Sequence, residues 1–131
     1  TLGQAGVVTI VADIREDLAE KVALEIQSEG GKAAPLRLDV CDEQQAEAAI
    51  QQVTQEYGGI DFLINNAGTD VTLSVEELAI SDWDRVLAVN LRAPFILSKF
   101  VFPSMRQRGS GHIVNVASTA SKRTWPNASA Y

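Results

Sequence analysis

Apolar residues in this chain fall in short continuous runs separated by amphipathic stretches. Val7–Ala12 is an unbroken, β-branched run, the pattern of a strand covered on both faces. Asp13-Ile14-Arg15-Glu16 follows with the spacing of a capping box, and Leu18, Val22, Leu24 and Ile26 then recur at helical intervals as far as Gly30-Gly31. Ala33–Leu38 reads as a second strand ending at Asp39-Val40. Asp42–Tyr57 reads as a second helix with Ala46, Ala49, Ile50 and Val53 on one face, stopped by Gly58-Gly59. Ile60–Ile64 is a third strand. A loop with a capping-box turn at Ser74–Glu77 leads to a long helix opening at Ser81-Asp82-Trp83-Asp84 and running to about Gln107, with Pro94 expected to bend it. Gly109-Ser110-Gly111 breaks the chain, His112–Ala117 is a fourth strand, and Ser118–Tyr131 is loop with a turn at Trp125-Pro126-Asn127.

The order β-α-β-α-β-α-β with short connections predicts the α/β class: a doubly wound parallel sheet of Rossmann-like type with right-handed crossovers. A length of 131 residues points to a single domain over 1–131, and 46% hydrophobic with 21% charged residues is an ordinary globular composition. Only the charge and the cysteine count change that picture. A net charge of −6 argues against a nucleic-acid partner and against an anionic membrane surface. No apolar run in the sequence approaches the ~18–20 residues that span a bilayer, and no signal pattern opens the chain. The single Cys41 cannot form an internal disulfide, which fits a reducing cytoplasm, and one His with one Cys leaves no metal cluster to draw.

The chemistry stands at the ends of the strands. Asn65-Asn66-Ala67-Gly68 closes the third strand, Ser118 closes Ile113-Val114-Asn115-Val116-Ala117, and Asn90 stands in the long helix, where Asn is a mediocre helix former. Tyr131 lies thirteen residues after Ser118. These features, in this order, make the chain resemble the short-chain dehydrogenase/reductase family over essentially its whole length. The resemblance implies an NAD(P)-dependent oxidoreductase that interconverts an alcohol and a ketone or aldehyde by hydride transfer. In that reading Tyr131 is the general acid/base, Ser118 polarises the substrate oxygen, and Asn90 helps to hold a water in the proton relay. Asp13, at the end of its strand, is placed to hold the adenosine ribose hydroxyls, with Ile14 beside it; a carboxylate there repels a 2′-phosphate and favours NAD over NADP. Asp39 and Val40 resemble the family's adenine contacts, and Asn66, Ala67 and Gly68 run beside the cofactor. Asn65 reads as structural, hydrogen-bonding between strands. Trp125 and Asn127 are candidates to line the substrate pocket.

Two family landmarks do not stand in this sequence: the TGxxxGxG turn that receives the pyrophosphate, and the Lys four residues after the Tyr. The family also often has Gly three residues after its Ser, where Ser121 stands here. The expectation is therefore a partial sequence. In the strand order 3-2-1-4-5-6 the missing first strand belongs between Val7–Ala12 and Ile60–Ile64. Without it two separate two-stranded parallel pieces remain, and the segment alone is expected not to form a stable native sheet. The alternative is a non-catalytic dinucleotide-binding or truncated regulatory member of the same fold. The resemblance further implies a small-molecule alcohol or carbonyl substrate and a homotetramer or homodimer at full length, using the long helix as its surface.

Overall fold

A computed structural model of the chain describes residues 3–122 and 126–130. The chain divides into two compact units, Thr1–Asp39 and Val40–Tyr131. The first holds a short 3-10 turn at Gly3–Ala5, strand β1 (Val8–Asp13), helix α1 (Glu16–Ser28) and strand β2 (Lys32–Arg37). β1 and β2 pair in parallel from Val8 opposite Lys32 to Asp13 opposite Arg37, and the Leu38 N–H adds one more bond to the Asp13 carbonyl at 2.9 Å. Helix α1 packs on both strands.

Two expectations are corrected in this unit. β1 is not covered on both faces, since Val8 and Ala12 are exposed and its other residues are half-buried; among the described residues it pairs with one strand. Nor does α1 bury its large residues. Ala19 and Ala23 are the buried ones, whereas Leu24 is 62% exposed. Small side chains on the inner face let the helix approach the sheet closely. Gly31 marks the same crowding, since a Cβ there would stand 2.7 Å from Ile26 Cγ2.

The second unit carries α2 (Glu43–Tyr57), β3 (Phe62–Asn65), α3 (Ile80–Leu87), a π-helical segment (Ala88–Arg92), α4 (Ala93–Arg108), β4 (His112–Asn115) and a 3-10 turn at Thr119–Lys122. Asp42 caps α2: its Oδ1 accepts from the Gln44 and Gln45 N–H groups at 2.9 and 3.1 Å. These bonds, those from Gln45 foremost, hold its carboxyl below the ordinary 3.8. Gly58 ends the helix in the left-handed region, φ 80°. Ala46, Ala49 and Ile50 form the buried face anticipated from their spacing.

β3 and β4 pair in parallel from Phe62 opposite His112 to Asn65 opposite Asn115. The His112 ring stacks on Phe62 with centroids 5.1 Å apart. Parallel strands of an α/β fold with two two-stranded sheets, β1-β2 and β3-β4, is the arrangement the strand order anticipates. α4 packs on α2 and β3, and Val86, Ala93, Ile96, Leu97, Val101 and Met105 form the core of this unit. Arg108 closes its far end: Nη1 meets Asp61 Oδ1 at 2.8 Å and Nη2 donates to the Ile60 carbonyl.

The long helix starts at Ile80, with Ala79 as its cap, and not at Ser81. Pro94 does not sit inside a regular α-helix. It stands in the first turn of α4, directly after the π segment, where the Ala93 N–H bonds to the carbonyl of Ala88 five residues back. The residues flanking Asn90 are more open than their apolar character suggests, with Leu91 67% and Phe95 66% exposed. Taken as one helix, Ile80–Arg108 is long and apolar enough to cross a membrane by length and composition alone, which the sequence runs did not show. The core helix of a globular unit meets the same two criteria, and this one carries most of its unit's buried residues.

Candidate functional site

The site in the second unit is built where β3 and β4 end. Parallel strands present their C-terminal ends on the same edge, the edge at which open α/β sheets bind ligands. The last register pair is Asn65 with Asn115, and the Val116 N–H closes the ladder on the Asn65 carbonyl at 3.0 Å. Asn65 is buried, and its Nδ2 donates to Asn115 Oδ1 at 2.8 Å, the inter-strand role expected of it. Its own Oδ1 is buried without a partner among the described residues.

Beyond this pair the two strands diverge into the functional segments. Asn66, Ala67 and Gly68 form an exposed turn that finds no hydrogen-bond partner among the described residues. Next to it, Asn90 makes two bonds to one residue of the loop: the Thr69 N–H donates to Asn90 Oδ1 at 2.9 Å, and Asn90 Nδ2 donates to the Thr69 carbonyl at 2.8 Å. The π segment that holds Asn90 inserts extra backbone into the helix and turns this amide toward the loop. Its side chain therefore works as a clamp on the segment after Gly68. π segments of this kind occur frequently at functional sites.

Ser118 is half-buried, three residues past the end of β4, and its Oγ accepts the Ala120 N–H at 3.1 Å. The loop that follows returns to the segment after Gly68. Ala128 bridges to Leu73 in parallel, and Ser129 Oγ donates to the Leu73 carbonyl at 2.9 Å. Asn127 is exposed and adopts φ 60°, a left-handed conformation that Asn tolerates better than most residues. Tyr131 and Trp125 lie outside the described residues.

The remaining sequence candidates divide between the units. Asp13, Ile14 and Asp39 belong to the first. Asp13 is the half-buried last residue of β1, and its Oδ1 accepts the Arg15 N–H at 2.8 Å. That bond makes a local turn, so the capping-box expectation is corrected: α1 begins at Glu16, and its cap, Arg15, makes no side-chain bond. Ile14 is 58% exposed, and Asp39 and Val40 are half-buried in the connection after β2. The structure thus brings together Asn66, Ala67, Gly68 and Asn90, and sets Ser118 three residues beyond β4, the strand paired with the one that leads into Asn66–Gly68.

Sequence reasoning missed Asn115 and Thr69. An Asn inside the apolar run Ile113–Ala117 was the available signal for the first, because Asn is depleted in strands. Thr69 has no signal in the sequence, because what Asn90 grips is its backbone.

A nicotinamide dinucleotide is the group the resemblance implies, and each unit, taken by itself, has a described feature that suits part of one. Asp13 offers its second carboxylate oxygen, which has no hydrogen-bond partner among the described residues, to a ribose hydroxyl. The turn at Asn66–Gly68 offers backbone groups that have no partner among the described residues, with room above them. A Cβ built at Gly68 would meet only Asn90 Oδ1 at 3.7 Å and the Asn66 carbonyl at 3.9 Å, so packing within the chain does not require glycine there. A bare backbone at an exposed strand end is what close approach of a ligand needs.

Comparison with known proteins identifies the family. A family profile described as short chain dehydrogenase matches residues 1–131. Cyclohexanol dehydrogenase of Acinetobacter sp. (strain SE19) is 37% identical over 131 residues, covering 99% of this chain and 52% of that protein. Among solved structures, NAD+-bound xylitol dehydrogenase superposes with a TM-score of 0.94 at 31% identity, over 99% of this chain and 50% of its own. A metagenomic short-chain oxidoreductase in complex with NADP also superposes with a TM-score of 0.94, at 30% identity, over 99% of this chain and 59% of its own. The chain spans about half the length of the curated relatives it matches. On the match along its whole length, the chain belongs to the short-chain dehydrogenase family.

Proposed function

We propose that the protein is an NAD(P)-dependent oxidoreductase that interconverts a secondary alcohol and its ketone. The observation that carries this reading is the edge formed by β3 and β4. It pairs a turn at Asn66–Gly68 that has no hydrogen-bond partner among the described residues, suited to a dinucleotide, with a strand that leads to the Ser118 hydroxyl. Relatives named cyclohexanol dehydrogenase and xylitol dehydrogenase support the hydroxyl as the reacting group.

When bound, the nicotinamide accepts the hydride that leaves the carbinol carbon. The hydroxyl proton has to depart in the same step, and Tyr131 takes it as phenolate. A free phenol has a pKa of about 10, and each unit of lowering takes about 1.4 kcal/mol of preferential stabilisation of the phenolate. In the family a Lys four residues after the Tyr supplies that stabilisation. Ser118 donates a hydrogen bond to the substrate oxygen and steadies its charge in the transition state. Asn90, with its side chain committed to Thr69, fixes the loop beside the cofactor. Asp13 binds the ribose hydroxyls and disfavours a 2′-phosphate, so NAD is the preferred coenzyme.

The test is NADH and NADPH formation by the full-length protein over a panel of cyclic and acyclic secondary alcohols. Turnover is expected with NAD above NADP. Tyr131→Phe should lower kcat/KM by about 10²–10⁴, the span of general acid–base catalysis, with NADH binding retained. Binding of NADH by the wild type without turnover of any alcohol would transfer the protein to the non-catalytic alternative.

A further inference from the structure

Asn115 takes no part in the roles above, yet it holds the last side-chain link between the two strands that carry them. Its register partner is Asn65, and the bond from Asn65 Nδ2 to Asn115 Oδ1 is 2.8 Å long. Among the described residues, the one backbone bond between the strands beyond that register pair is Val116 N–H to the Asn65 carbonyl, at 3.0 Å. After it the β3 side turns directly into Asn66–Gly68, and the β4 side runs three residues to Ser118. An apolar residue at 115 would suit an apolar strand better, since Asn is among the residues depleted there. Asn115 is itself exposed and the bond part-buried, but truncation would leave the amide of Asn65, which is buried, with neither polar atom partnered among the described residues, because its Oδ1 already has none. Neighbouring unsatisfied polar atoms in a buried place are costly, and the strand ends would move to relieve them.

We propose that Asn115 is a positioning residue. Its amide, through Asn65, fixes the separation between the turn that faces the coenzyme and the serine that faces the substrate oxygen. The inference rests on the dehydrogenase reading above. It assigns Asn115 no contact with either ligand. Its acceptor oxygen is the group that matters, because Asn65 is the donor in the bond.

The experiment compares the full-length wild type with Asn115→Leu, Asn115→Ala and Asn115→Asp. Leucine keeps the volume and removes the acceptor; aspartate keeps the acceptor in the same place. Steady-state kinetics for the best alcohol are measured together with NADH affinity by fluorescence titration. For N115L and N115A, kcat should fall about ten- to a hundredfold, the scale of a misplacement near 1 Å, with NADH affinity within about threefold. N115D should recover most of the rate. If N115L does not fold, N115A and N115D carry the comparison. Unchanged kcat in the truncations overturns the proposal, as does N115D behaving like N115L, or loss of NADH binding in step with kcat. Failure of the dehydrogenase reading shows differently: the wild type itself turns over no alcohol, and the positioning role falls with it.

Discussion

Gly111 opens β4, the strand that leads to Ser118, and it is pressed against the core. A Cβ at this position would stand 2.5 Å from Met105 Sδ and 2.8 Å from Met105 Cβ, distances at which something has to move. Met105 is 5% exposed, and its Cβ is fixed by helix α4, so rotation of the far end of its side chain cannot relieve both contacts. Gly111→Ala therefore forces either α4 or the start of β4 aside. Inserting a methylene into a packed site costs about 1–3 kcal/mol, and we expect this variant in the upper half of that range. The informative partner is Met105→Ala, which alone should cost about 2–5 kcal/mol for the lost burial and the cavity. In the double variant the new methyl enters space that the methionine vacated, so the two losses should not add. A coupling of about 1 kcal/mol or more in the stabilising direction is expected, within the range seen for residues in contact.

The assay is urea unfolding of the full-length protein, followed by tryptophan fluorescence at one fixed protein concentration, since association would shift the midpoint. Two results refute the reasoning. One is G111A within about 0.5 kcal/mol of wild type, the scatter of a neutral surface change. The other is strict additivity in the double variant, which would mean that the methyl and Met105 do not meet.

Three other outcomes follow from named contacts. Asn90→Leu strips both bonds from the Thr69 backbone; at about 0.5–1.5 kcal/mol each, urea unfolding should show a loss of about 1–3 kcal/mol, together with a fall in kcat. Asp61→Ala removes a pair with Arg108 that is 72% and 31% exposed on its two sides while leaving the arginine's bond to the Ile60 carbonyl, so a loss of about 0.2–1 kcal/mol is expected, shrinking at high salt. Asp42 is held below the ordinary carboxylate value by the amides it caps, so its contribution is complete above the unfolded pKa. It is lost as pH falls below about 4. Asp42→Asn keeps an acceptor oxygen, so its stability should change less than that of the wild type between neutral pH and about pH 3, a difference read from unfolding midpoints at each pH.

What could be read from the sequence was local and polar. Asn66–Gly68, Asn90 and Ser118 stand out because polar residues past an apolar strand, or inside a helix that does not favour them, need a reason to be there. The split into two parallel pairs was legible only through the resemblance: alternation of runs predicts parallel strands, and it is the strand order the family implies that says which of them are neighbours. Burial in α1 was not. Apolar spacing selects Leu18, Val22, Leu24 and Ile26, whereas the packed face is Ala19 and Ala23. How closely a helix approaches a sheet is decided by its small residues, and hydrophobicity does not report that distance. The Asn65–Asn115 bond was hidden in a different way. It depends on parallel register, which sets residues fifty positions apart opposite one another. A shift of one residue would have sent the two amides to opposite faces.

The π segment shows how two weak sequence signals combine into one structural cause. Pro94 alone predicts a bend, because it has no N–H to give the Asn90 carbonyl four residues back. Asn90 alone predicts a poor helix position. A π turn answers both. Its bonds run five residues back, as Ala93 N–H to the Ala88 carbonyl does, so the helix has already left the regular α register just before the proline. The added backbone also rotates the Asn90 side chain onto Thr69, where its amide makes two bonds. α4 then restarts with Pro94 in its first turn, the one place in a helix where a proline removes no bond. The irregular segment is therefore where the helix gives up regularity to hold the loop beside the Asn66–Gly68 turn.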